Sequence, residues 1–123
     1  MKKVTILLLF MGVLLGNCYG QQLTASYYTV ESCMKESGQC ITASGERLCD
    51  YDYTCASWDH KFGTLLKVTN TDTGHFVFVR VTDRGPAKRL HKQGRVIDLT
   101  KIAFLKLAPL EQGIIPIEIE VIG

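Results

Sequence analysis

The stretch from Ile115 to Val121 constrains the fold more than any other part of the chain. Ile115, Ile117, Ile119 and Val121 alternate with Pro116, Glu118 and Glu120. A two-residue period puts branched apolar side chains on one face and charges on the other, the pattern of a half-buried strand. Pro116 suits an edge or the start of a strand, because it has no N–H for an interior ladder. A second unit predicts a hairpin: residues 64–69, the polar loop Asn70-Thr71-Asp72-Thr73-Gly74, and residues 75–81. Within it Phe76-Val77-Phe78-Val79-Arg80-Val81 is apolar on both sides up to Arg80, which predicts a central strand buried on both faces. Residues 25–30 and 95–99 read as shorter strands. One helix is predicted, over 101–107, capped by Thr100, with Ile102, Leu105 and Ala103 turned inward and Pro109 stopping it. Residues 31–60 read as irregular. Many short strands with a single helix give an all-β class, a barrel rather than a sandwich.

The first 20 residues set the compartment. Lys2 and Lys3 precede an apolar run from Val4 to Leu15, followed by Gly16, Asn17, Cys18, Tyr19 and Gly20. This is the pattern of a secretory signal peptide, and its apolar core is short for a bilayer span. Small residues before Gln21 suit ordinary cleavage after Gly20. Leu15-Gly16-Asn17-Cys18 also resembles a lipobox, in which Cys18 would carry lipid; Asn17 is unusual there, and release is favoured. Residues 21–123 then form one domain, exported to the periplasm or beyond and membrane-attached only if Cys18 is lipidated; a monomer is expected.

Lys2 and Lys3 account for the whole formal charge of +2, and residues 21–123 hold 12 basic and 12 acidic side chains. No polyanion-binding surface follows, which argues against nucleic acid as a partner. Four cysteines remain beyond Cys18: Cys33, Cys40, Cys49 and Cys55. An even number in a small exported domain reads as two disulfides. Of three possible pairings, Cys33–Cys40 with Cys49–Cys55 closes the shortest loops. The rival zinc site lacks C-x-x-C spacing, so neither metal nor cofactor is expected.

Three carboxylates stand beside turn signals. Glu46 follows Thr42-Ala43-Ser44-Gly45, Asp83 opens Asp83-Arg84-Gly85-Pro86 after an apolar strand, and Asp98 lies between Val96-Ile97 and Leu99. An acid at the end of a core strand is partly desolvated, which raises its pKa toward the range for proton transfer. The structural alternatives are a turn-forming Asp83 and a capping Asp98. Trp58 is read either as core or as a sugar platform.

Six strings occur in order: Ala25-Ser26-Tyr27-Tyr28, Thr42-Ala43-Ser44-Gly45-Glu46, Phe62-Gly63-Thr64, Val68-Thr69-Asn70, Val81-Thr82-Asp83-Arg84-Gly85-Pro86 and Arg95-Val96-Ile97-Asp98-Leu99. The series resembles the RlpA-like (rare lipoprotein A) family across most of residues 25–122. The resemblance implies a six-stranded double-psi β-barrel related to expansins, without the peptidoglycan-binding module that some members carry after the barrel. It also implies a lytic transglycosylase acting on peptidoglycan, which cleaves between N-acetylmuramic acid and N-acetylglucosamine without water and closes a 1,6-anhydro ring. By the same resemblance Asp83 is the acid/base, Glu46 a second functional acid and Asp98 an acid that lines the polysaccharide groove; Trp58 and Arg84 are expected to contact glycan beside it.

Two positions depart from the lytic pattern. Cys49 stands where such members carry an acid, and Ser57 where they carry a His; Asp50 and His60 lie near enough in sequence to substitute. The alternative reading is therefore a non-catalytic, expansin-like wall-binding or wall-loosening module, and a weaker one is a secreted inhibitor.

Overall fold

The computed structural model describes residues 22–123; the leader and Cys18 lie outside the described residues. Six strands, β1 (Thr24–Tyr27), β2 (Thr54–Ser57), β3 (Leu65–Asn70), β4 (Phe76–Asp83), β5 (Arg95–Leu99) and β6 (Ile115–Val121), close into a barrel ordered β1-β5-β2-β4-β3-β6. β1 runs parallel to β5, and β2 parallel to β4; the other neighbours are antiparallel. The predicted alternation in β6 holds over its first half and fades toward its end, where Ile119 is half-buried and Val121 is exposed. Ile115 and Ile117 are buried, and β6 pairs with β3 on one side and β1 on the other. The 64–81 hairpin forms with Lys67 opposite Phe78.

β4 departs from the expectation of burial on both faces. Val77, Val79 and Val81 enter the core, whereas Phe76, Phe78 and Arg80 point outward and are exposed. The two phenyl rings meet edge to face with centroids 5.7 Å apart, and the Lys67 ammonium lies 4.4 Å from the Phe76 ring centroid.

Three α-helices form instead of one: α1 (Val30–Ser37), α2 (Lys88–His91) and α3 (Lys101–Leu105), with a 3-10 turn at Leu110–Gln112. The predicted strand at 25–30 ends at Tyr27 because Thr29 caps α1. Its hydroxyl accepts from the Ser32 N–H, and the Ser32 hydroxyl accepts from the Thr29 N–H, a reciprocal capping box. Gly38, at φ +76°, ends the helix in the left-handed conformation that glycine adopts at least cost. Thr100 precedes α3 without capping it; its hydroxyl donates to the Asp52 carbonyl at 2.6 Å. The buried face of α3 is Ala103 and Phe104, and Leu105 is exposed.

All four described cysteines are free thiols, so the two expected disulfides are not formed in this structure. Cys33 and Cys40 are in side-chain contact, and that contact helps to raise the Cys40 thiol pKa after the larger effect of desolvation. Cys55 is different. It is fully buried in the barrel core, where desolvation pushes its thiol up to about 12, while Cys49 sits half-buried in the loop before β2.

Phe104 is the largest fully buried side chain and stacks on Tyr27 with ring centroids 4.9 Å apart. Phe104→Ala should cost about 3–5 kcal/mol, the usual price of an unfilled aromatic cavity. Urea unfolding checks this: the midpoint should fall with an unchanged slope.

Candidate active site

The barrel brings two acids from distant parts of the chain to one place. On β2, Ala56 is the register partner of Asp83 on β4 and of Asp98 on β5. Both carboxyls line a groove of about 560 Å³, together with Ser26 from β1, Tyr28 just after it, Glu36 from α1 and Arg84.

Their surroundings differ. Asp83 Oδ1 accepts from the Ala43 N–H at 2.9 Å and the Arg84 N–H at 2.8 Å, and Tyr28 donates to Oδ2 at 3.3 Å. Asp98 accepts a hydrogen bond from the Ser26 hydroxyl. Burial pushes the Asp98 pKa above the ordinary carboxylate value, and the charge of Asp83 adds to that; Ser26 and Arg95 oppose it. The burial-driven rise predicted for an acid at a strand end is thus found at Asp98. Gly85 keeps the space above it open, since a Cβ there would sit 3.5 Å from Asp98 Oδ2.

Tyr28 and Ser26 are the site residues that sequence reasoning did not single out. The available signal was their two-residue spacing along β1 and the residue after it: Ala25 is buried and Tyr27 packs on the core, which leaves Ser26 and Tyr28 on the opposite side. Burial first, then the nearby Asp83 carboxylate, raises the Tyr28 phenol far above its ordinary pKa. It therefore remains a neutral donor at any working pH.

The other predicted residues take varied places. Arg84 turns away from the Asp83 carboxyl; its guanidinium donates to the Ser57 and His60 carbonyls at 2.6 and 2.7 Å and lies 4.0 Å from the Phe62 ring centroid. Trp58 stands beside the groove rim, with Nε1 donating to the Pro86 carbonyl at 2.6 Å. Glu46 is not among the groove-lining residues. It forms a two-pronged ion pair with Arg80 at 2.9 and 3.0 Å, which holds its carboxyl below the usual range. Neither Asp50 nor His60 is among the groove-lining residues; the Asp50 carboxylate accepts from Val30 N–H at the start of α1, and the His60 backbone carbonyl accepts from Arg84. Among the described residues no group of three or more His, Cys, Asp or Glu side chains is placed to hold a metal ion.

A family profile described as lytic transglycolase matches residues 20–119. The chain is 45% identical over 82 residues to the "Probable endolytic peptidoglycan transglycosylase RlpA" of Nostoc sp., covering 67% of this chain and 21% of that protein. It is 39% identical over 82 residues to the endolytic peptidoglycan transglycosylase RlpA of Vibrio cholerae, covering 67% of this chain and 30% of that one. The chain thus spans between about a fifth and a third of these relatives. Among solved structures, the expansin of Clavibacter michiganensis superimposes with a TM-score of 0.59 at 24% identity, over 83% of this chain and 50% of that one. That likeness shows the fold.

The raised pKa of Asp98 makes a stability prediction. Folding binds its proton more tightly, so its contribution is intact below the ordinary Asp value of about 4 and is lost as pH rises through the raised folded value. Asp98→Asn avoids burying that charge. Its melting temperature should match wild type near pH 3 and exceed it by a growing margin toward pH 7. A margin that shrinks with rising pH would contradict the assignment.

Proposed function

The chain belongs to the lytic transglycolase family of double-psi β-barrels, and on that footing we propose that it cleaves peptidoglycan glycan strands endolytically, without water, to leave 1,6-anhydro ends. The observation that carries the proposal is the pair of groove carboxyls flanking Ala56, one desolvated and one held by three donors.

Their environments suit two roles. Asp98, whose protonated form burial favours, donates its proton to the glycosidic oxygen as the bond from C1 of the muramic residue to that oxygen breaks. The C6 hydroxyl of the same sugar then attacks C1 and passes its proton to the Asp83 carboxylate, closing the anhydro ring. The nucleophile is intramolecular, so a groove that aligns the sugar and excludes water supplies much of the rate. Solvent exchange returns the proton from Asp83 to Asp98. This division gives proton donation to Asp98 instead of to Asp83, the donor that the family resemblance implies, because burial favours the protonated form of Asp98. Glu46, tied to Arg80, steadies the 42–46 loop whose Ala43 N–H holds Asp83. Arg84 and Trp58 shape the rim, and the leader would deliver the domain to the wall.

The same ion pair, with Ser57 in place of a His, favours the second reading, a wall-binding module without turnover. Mass spectrometry of peptidoglycan incubated with purified protein separates them. Wild type should release anhydro-ended fragments, and Asp83→Asn and Asp98→Asn should each lower the yield about 10²–10⁴-fold while still binding sacculi. Sacculus binding with no anhydro ends from wild type would leave the module as the function.

Export also bears on the cysteines. We expect Cys33 and Cys40, already in contact, to close a disulfide in the oxidising compartment. Alkylation of the exported protein followed by peptide mass analysis should find both blocked without reductant; free thiols at both would rule the bridge out.

A further inference from the structure

Three arginines line the groove: Arg84, Arg89 and Arg95. Arg84 is committed to two carbonyls and a phenyl ring. On α2 the neighbours of Arg89 are committed too. The Lys88 ammonium lies 4.8 Å over the Trp58 ring, His91 Nε2 meets Asp59 Oδ2 at 2.9 Å, and Leu90 faces the groove. Arg89 is exposed at the groove and carries no ion pair among the described residues. Arg95, at the start of β5, is half-buried and likewise has no ion pair, although its charge reaches Asp98.

An exposed arginine on a helix is ordinarily a solvated surface residue. Arg89 differs because a second unpaired guanidinium lines the same groove. A neutral polysaccharide has no group that calls for them, whereas a planar guanidinium matches a carboxylate with two parallel hydrogen bonds. We propose that Arg89 and Arg95 form an anion subsite that holds a carboxylate carried by the glycan, so that the groove selects acidic wall strands over neutral polysaccharide. The proposal rests on the glycan-groove reading above and deepens it. The carboxylate has two possible sources: the lactyl group of a muramic residue freed of its stem peptide, or the stem peptide itself.

Binding, measured by calorimetry on the Asp83→Asn protein, separates this from turnover. The probes are peptide-bearing strands, strands stripped of peptide by an amidase, stripped strands with their carboxyls converted to amides, and neutral chitin oligosaccharides. The Asp83→Asn protein should bind carboxylate-bearing strands best. Adding Arg89→Gln or Arg95→Gln should weaken that binding about three- to tenfold, as suits a partly solvated ion pair, and leave the amidated strands unchanged. A loss confined to stripped strands identifies the lactyl carboxylate; a loss confined to peptide-bearing strands identifies the stem peptide. Equal affinity for native and amidated strands overturns the subsite, as does an equal loss on both. Failure to bind any strand would overturn the glycan reading and the subsite with it, whereas binding without anhydro ends would overturn only the reaction.

Discussion

The site depends on one strand junction, where β2 lies between β4 and β5. Parallel pairing on one side and antiparallel pairing on the other place Asp83 and Asp98 opposite the same residue, Ala56, although 15 positions separate them in sequence. Ala56 is buried and small. A closed barrel fixes strand order and register together, because slipping one strand by a residue would move its whole apolar set to the outer face. The acids therefore inherit their spacing from the core. Valines 77, 79 and 81 anchor β4 up to the position of Asp83, and Ile97 and Leu99 bracket Asp98.

Having fixed the positions, the fold sets the electrostatics through the neighbours it supplies. Two backbone N–H groups and a phenol converge on Asp83. Asp98, one strand beyond Ala56, receives the Ser26 hydroxyl and otherwise faces desolvation. Burial first, and the charge of Asp83 after it, raise the Asp98 pKa. A pair of carboxyls in matched surroundings would compete for the same proton.

Much of this was legible in the sequence, and the limits have physical causes. The strands β3, β4, β5 and β6 announce themselves because apolar, β-rich runs bounded by turn residues are local information, and the turn strings locate Asp83 and Asp98 at strand ends. The helix α1 was missed because it has no apolar periodicity: it buries no residue, and its signals are the Thr29–Ser32 box and Gly38. The outward face of β4 was misread because phenylalanine there resembles core, yet no layer covers the outside of the barrel at Phe76 and Phe78. The Glu46–Arg80 pair joins residues 34 positions apart, and no local pattern reports such a partner. Tyr28 lay inside a recognisable string, but its role depends on a hydrogen bond to a residue 55 positions away.

The groove wall contributed by α1 shows where the molecule is least constrained. Ser32, Cys33, Glu36 and Ser37 face the groove from a helix with no buried side chain. Local bonds close its two ends, the reciprocal box at Thr29 and the Gly38 N–H on the Met34 carbonyl, while the Asp50 carboxylate on the Val30 N–H and the Cys40 thiol on the Val30 carbonyl hold its start to the rest of the chain. The Asp50 to Asp52 segment also accepts from the Ile102 N–H and from the Thr100 hydroxyl, so it ties α1 to the start of α3. An element held by a few partly solvated hydrogen bonds opens at lower free energy than one packed into a core. The two walls of the groove are therefore unequal. The β4–β2–β5 side sets the carboxyls within the paired strands of the barrel, while the α1 side buries no side chain. A covalent link between Cys33 and Cys40 would act on this softer wall, stiffening it without touching the strands that position the acids.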